Sequence, residues 1–129
     1  MEEILAVSVG YVVGSVPFAY LIAQRRGVDL RRAGSGNVGA ANVLRTSGMP
    51  SGLAAMCLDL AKGAVVVVVV QRLCSGSVTP VLAGLSAVIG HVYPVWLGFR
   101  GGKGVATAAG VFMMFAPVAV AMAATVFVM

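Results

Sequence analysis

The sequence predicts an all-α, polytopic transmembrane helix bundle, with about four spans in a single membrane domain covering residues 1–129. Three observations predict it. Of the 129 residues, 60% are hydrophobic and only 10% charged, and mean hydropathy is +1.00, which leaves too little polar surface to keep such a domain in water. The apolar residues fall in runs long enough to cross a bilayer. The basic residues, which bring the net charge to +5, sit beside those runs and form no stripe with stacking aromatics. That pattern fits positive-inside loops and argues against a nucleic-acid partner.

Residues 4–23 make the first expected span. Glu2 and Glu3 precede it in place of a basic segment, unlike a cleaved signal peptide. Ala6, Gly10 and Gly14 recur at every fourth position, a stripe that lets another helix approach closely, and Pro17 is expected to bend the span near its end. Residues 24–50 are polar, glycine-containing and basic, with Arg25, Arg26, Arg31, Arg32 and Arg45, and read as an exposed loop. Residues 53–70 make the second span, ending in six consecutive valines. In water such a run would suit a buried strand, but an isolated strand cannot satisfy its backbone in lipid, so helix wins.

Residues 71–79 are a short connection, in which Thr79-Pro80 offers an N-cap and N1 pair for the third span, 80–97. Residues 98–107 form a second glycine-rich, basic loop, and 108–129 a fourth apolar run. The first loop carries five arginines, the second Arg100 and Lys103, and the connection between them only Arg72. Both glycine-rich loops are therefore expected in the cytoplasm, with the N-terminus outside. Tyr20, Tyr93, Trp96 and Phe99 would mark the interface on that side. Cys57 and Cys74, about 25 Å apart if they share one helix, are too distant to bridge and read as unpaired.

The stretch "GSGNVG" at 34–39 fits G-x-G-x-x-G, and Asp59 lies twenty residues beyond Gly39, where a ribose-binding acid would be sought. A dinucleotide fingerprint, however, needs a strand before the glycines inside a βαβ unit. Here Arg31, Arg32 and Ala33 precede them, and Asp59 lies within an apolar run. A Walker A reading of the second loop fails as well, because Gly104 follows Lys103 where Ser or Thr belongs. What survives is a general capacity for phosphate. Glycine-rich backbone turns N–H groups toward an anion, and Ser35, Gly36, Asn37, Asn42 and Arg45 in one loop, with Gly101, Gly102, Lys103 and Gly104 in the other, add hydroxyl, amide, guanidinium and ammonium donors. Within the spans, Asp59 and Lys62 can pair across one turn as a helix-positioning ion pair or a bundle hydrogen bond, a reading favoured over direct catalysis. His91, placed about two turns from the end of the third span, is a candidate base or a packing histidine.

"GSGNVGAANVLR" at 34–45, "GHVYPVWLGFRGGKGVAT" at 90–107 and "DLAKGA" at 59–64 resemble motifs of the bacterial membrane glycerol-3-phosphate acyltransferases that use acyl phosphate, the PlsY family. The order of the motifs matches along nearly the whole chain. Ala41 stands where that family usually has Thr. The family continues through further helices and a third cytoplasmic motif, so the resemblance implies a C-terminally truncated member. It also implies acyl transfer from acyl phosphate to the 1-hydroxyl of sn-glycerol 3-phosphate, giving lysophosphatidic acid and phosphate, in a multi-pass protein of the bacterial inner membrane. Membrane lipid is the remaining partner, and neither cofactor nor metal is implied. On this reading Ser35, Arg45 and Lys103 hold substrate phosphate, the Gly101–Gly104 backbone assists, and His91 is the candidate base. The His-x-x-x-x-Asp pattern of other glycerolipid acyltransferases is missing, since Trp96 stands five residues after His91. The alternatives are a transporter or channel for a phosphorylated organic anion, and a scaffold whose basic loops bind lipid.

Overall fold

Three helical segments are long and apolar enough to cross a membrane, at residues 2–25, 49–73 and 78–97. The computed structural model describes residues 1–129 and contains helices and turns but no strand. The first segment is two helices, α1 (Glu2–Gly14) and α2 (Phe18–Arg25), interrupted at Ser15–Pro17. Proline lacks the amide hydrogen that a continuous helix would need there, so the expected bend is a full break. Residues 24–50, expected as an exposed loop, instead contain α3 (Ala40–Ser47) and bury Leu30, Val38 and Val43. The second span, α4 (Met49–Leu73), begins four residues earlier than expected because Pro50 sits in its first turn, where no amide hydrogen is required.

Two further boundaries differ from the sequence reading. Helix α5 (Val78–Val92) starts at Val78, so Thr79 and Pro80 lie inside its first turn and Thr79 is not the cap. It ends at Val92, and residues 95–97 form a separate 3-10 turn beyond Pro94, which places His91 in the last turn of the helix rather than two turns inside it. The fourth run is α6 (Val105–Phe115) and α7 (Pro117–Val128), divided at Ala116 for the same reason that α1 stops before Pro17.

Small residues are inside and large ones outside. The buried apolar set is mostly alanine and valine, while Leu53, Val65, Val69, Leu82, Leu85, Ile89 and Phe112 point outward. Lipid solvates large apolar side chains as well as a core does, so packing within a membrane bundle comes from close backbone approach. The expected stripe does this: Ala6, Gly10 and Gly14 are the buried residues of α1. A Cβ at Gly14 would overlap the backbone of Ala87, and one at Gly10 would stand 2.5 Å from the Ala83 carbonyl oxygen. Ser86 Oγ adds a 2.8 Å hydrogen bond to Val7 O across the same seam. A second crossing joins α4 to α6, where Gly63 packs on Thr107 and Gly110 on Leu60. These contacts bring the ends of α1 and α5, the middle of α4 and the start of α6 together at the end of the bundle that carries both glycine-rich loops.

Candidate active site

The Ser15–Pro17 break opens a small cavity of about 10 Å³, room for about one water molecule. Its wall combines Gly14–Ala19 with Asp59 and Lys62 of α4, His91 of α5, Gly101 and Gly102 of the second glycine-rich loop, and Val38 of the first. The two loops meet at this point: a Cβ on Gly102 would lie 2.8 Å from the Val38 carbonyl oxygen and 2.5 Å from His91 Nε2. Only a glycine fits there.

Each loop is held by contacts that its sequence supplies. Asn42, only 2% exposed, is the centre of the first. Its Nδ2 donates to Leu30 O (3.2 Å), Ala33 O (3.0 Å) and Asn37 O (3.0 Å), and its Oδ1 accepts from the Ser35 amide at 3.0 Å. Asn42 was expected to bind substrate phosphate, but its amide is fully used in holding the loop, because a short helix behind the glycines places it underneath them. Ser35 keeps an exposed hydroxyl, which accepts weakly from the Asn37 amide at 3.4 Å. Gly36 adopts φ +75°, and Asn37 buries its Oδ1 without a hydrogen-bond partner. Arg45 lies exposed on α3 with no ion-pair partner.

The second loop turns on Gly98 and Phe99, both left-handed at φ +62°. Phe99 is the only non-glycine residue in that region of backbone space, a conformation that persists only when its surroundings impose it. Hydrogen bonds from the Phe99 amide to Pro94 O and from the Gly101 amide to Val92 O, each 2.9 Å, do so. Lys103 emerges exposed and unpaired, and Gly104 (φ +79°) starts α6. Gly101 and Gly102 thus reach the cavity, whereas Ser35, Arg45 and Lys103 are exposed and do not line it.

Beneath the loops lies a buried polar cluster. Asp59 and Lys62 form the expected i,i+3 ion pair, with Nζ 2.9 Å from Oδ1. Lys62 Nζ also donates to Val16 O at 2.8 Å, and it lies 5.6 Å from the Phe18 ring centre. The pair thus includes a bundle hydrogen bond, one of the two structural roles expected of it, since it binds the broken end of the first span. His91 Nδ1 stands 3.2 Å from Thr107 Oγ1 and 3.6 Å from Asp59 Oδ1. Sequence reasoning did not assign Thr107, Asp59 or Lys62 to the site. The available signal was two opposite charges one turn apart in an otherwise apolar run of a chain with a single histidine. No three His, Cys, Asp or Glu side chains come together as a metal ligand set, and Cys57 and Cys74 are free.

Comparison with known proteins agrees with this geometry. The family model described as glycerol-3-phosphate acyltransferase matches residues 4–129. The glycerol-3-phosphate acyltransferase of Geobacter sulfurreducens is 45% identical over 99% of this chain and 66% of its own length; that of Myxococcus xanthus is 50% identical over 95% and 65%. A crystal structure of PlsY (YgiH), an integral membrane glycerol 3-phosphate acyltransferase in its glycerol 3-phosphate form, is similar with a TM-score of 0.91 at 40% identity, over 99% of this chain and 64% of that one. The lysophosphatidic acid form of PlsY gives a TM-score of 0.84. The chain thus spans a little under two thirds of the length of these relatives. With motifs, helix order and backbone all matching, the chain belongs to the glycerol-3-phosphate acyltransferase family.

Proposed function

We propose that the protein of which this chain forms the helical domain 1–129 transfers an acyl group from acyl phosphate to the 1-hydroxyl of sn-glycerol 3-phosphate. It does so at the cytoplasmic face of the bacterial inner membrane, with the N-terminus outside. The observation that carries the reading is the meeting of two glycine-rich loops, each beside an exposed, unpaired cation, over a cavity walled by His91. Both substrates bring phosphate to the reaction. Arg45 offers a planar fork and Lys103 a point charge for those phosphates, with the Ser35 hydroxyl and the Gly36–Asn37 and Gly101–Gly104 backbone as further donors. Relatives solved with glycerol 3-phosphate and with lysophosphatidic acid, an acceptor and a product of this reaction, support the same assignment.

In the reaction, the 1-hydroxyl oxygen forms a bond to the acyl carbonyl carbon while the carbon–oxygen bond to the phosphate leaving group breaks. The hydroxyl proton passes to His91 Nε2 or to phosphate, and lysophosphatidic acid and inorganic phosphate leave. Phosphate is a good leaving group, so most of the catalysis falls to positioning and to stabilising negative charge.

The test is incubation of the purified protein in nanodiscs with acyl phosphate and labelled glycerol 3-phosphate. Labelled lysophosphatidate should form, and acyl-CoA should not replace acyl phosphate. A folded, full-length protein that forms none, yet carries labelled glycerol 3-phosphate into proteoliposomes, would be a transporter instead.

A further inference from the structure

The first glycine-rich segment is preceded by a basic turn that the cavity does not use. Arg25, Arg26, Arg31 and Arg32 fall within eight residues where the first membrane segment, 2–25, ends, and all four are exposed. None of them lines the cavity. Helix α2 stops there because Gly27 takes φ +74°. The Gly27 amide donates to Gln24 O and the Val28 amide to Ala23 O, each at 3.0 Å, which closes a Schellman cap. The chain then folds back on itself. Leu30, 0% exposed, pins it in the core, and the Arg31 guanidinium lies 5.2 Å from the centre of the Tyr20 ring. Beside this turn is an open groove of about 320 Å³ lined by Tyr20, Gln24, Gly27, Val28 and Asp29.

The charge of the turn is largely unbalanced. Asp29 is its one carboxylate, so residues 25–32 keep a net charge of +3, four positive and one negative. The contact from Arg32 Nε to Asp29 Oδ2 is 3.8 Å long, between side chains 89% and 48% exposed, and such a pair neutralises little in water. Asp29 Oδ1 accepts from the Arg31 amide at 3.1 Å, which holds the turn. Leu21, one helical turn before Arg25 on the same face of α2, is also exposed. An apolar side chain below a group of guanidinium forks, at the end of a membrane helix, matches the order in which a phospholipid presents its tails and its phosphate. An acidic soluble protein would meet the same charge but would leave Leu21 without a partner.

We propose that the Arg25–Arg32 turn is a docking surface for the headgroup of an anionic phospholipid, with the arginines on its phosphate and Leu21 against the upper part of its tails. Gln24 and Asp29 in the groove supply acceptors for headgroup hydroxyls. The surface is separate from the phosphate donors of the glycine-rich loops, and it does not depend on the acyl-transfer reading.

The test places the full-length protein in nanodiscs of equal parts phosphatidylglycerol and phosphatidylcholine with the same tails, and counts the lipids that stay bound by native mass spectrometry. The parent should retain phosphatidylglycerol over phosphatidylcholine by about tenfold at low salt, and the ratio should fall toward unity near about 0.5 M salt. Replacing all four arginines with glutamine should bring the low-salt ratio to about twofold or less, whereas Arg100→Gln in the other loop should leave it near the parental value. Arg45, Arg100 and Lys103 remain beside the spans in the fourfold variant and preserve its orientation. If that variant still fails to insert, Arg25→Gln/Arg26→Gln and Arg31→Gln/Arg32→Gln should each lower the ratio, and two unchanged ratios overturn the proposal. Equal retention of the two lipids by the folded parent also overturns it and leaves the turn to an acidic soluble partner. A ratio that survives the four substitutions, or that Arg100→Gln lowers as much, overturns the assignment to this turn.

Discussion

At the scale of single residues, the division of labour among polar groups follows from what is already satisfied. Asn42 has no free donor, whereas Arg45 and Lys103 have no partner at all. Replacing Arg45 or Lys103 with alanine should therefore lower kcat/KM by roughly 10- to 150-fold, from about 1.5–3 kcal/mol for a hydrogen bond to a charged group. Helical circular dichroism should stay unchanged, because neither side chain is packed; near-parental turnover would refute their role. Gly102→Ala makes the opposite kind of test, adding one methyl group where His91 Nε2 and the Val38 carbonyl already stand. We expect turnover to fall below detection in a protein that still folds, and normal kinetics would mean that the two loops do not meet as described. Residue types in the loops were legible from the sequence as phosphate donors, but the diversion of Asn42 was not. Its partners Leu30 and Ala33 lie on the other side of the glycines, so its role depends on how the loop closes.

At the scale of elements, the existence of the spans could be read from hydropathy, and their interruptions only in part. Pro17 was legible because it falls inside an apolar run, whereas the break at Ala116–Pro117 was missed in a run that reads as one span. Helix α3 was hidden because its apolar face is short and its outer face is polar, so it looks like loop on any hydropathy scale. The small-residue stripe of α1 was readable, and its partner on α5 was not, since α5 is rich in small residues nearly throughout. Overpacking of a close seam costs about 1–3 kcal/mol, and more where the obstacle is backbone. Gly14→Val, pressed against the Ala87 backbone, should accordingly lower the thermal midpoint of the detergent-solubilised protein by several degrees. Leu85→Val on the outward face of the same pairing should shift it little, and equal effects would show that the seam does not stabilise the bundle.

At the scale of the whole molecule, an inside of alanine, glycine and valine under an outside of leucine, valine and phenylalanine is the arrangement expected of a chain solvated by lipid. Composition alone conveyed this. It could not convey that both loops and three helix ends would share one cavity, because that depends on contacts between residues as distant as Val16 and Lys62. The proposed orientation puts Cys74 and the loop ends on opposite sides of the membrane. In right-side-out vesicles, a membrane-impermeant maleimide should label Cys74 and spare a cysteine introduced by Arg32→Cys in a Cys57→Ala background. The reverse pattern would invert the topology.

The hydrogen bond from Lys62 to Val16 has a consequence for how this sequence can change. The break at Pro17 presents the Val16 carbonyl to the buried ammonium group. Pro17→Ala would let one helix run from α1 into α2, drawing that carbonyl into the helical ladder and stranding the lysine. Lys62→Met alone would leave the Val16 carbonyl with only the Phe18 amide as donor and Asp59 as a buried charge without its partner. The two positions are thus each other's permission. Measured by thermal unfolding, the pair of substitutions introduced together should cost less than the sum of the separate losses, so the kink and the cation are inherited as one unit.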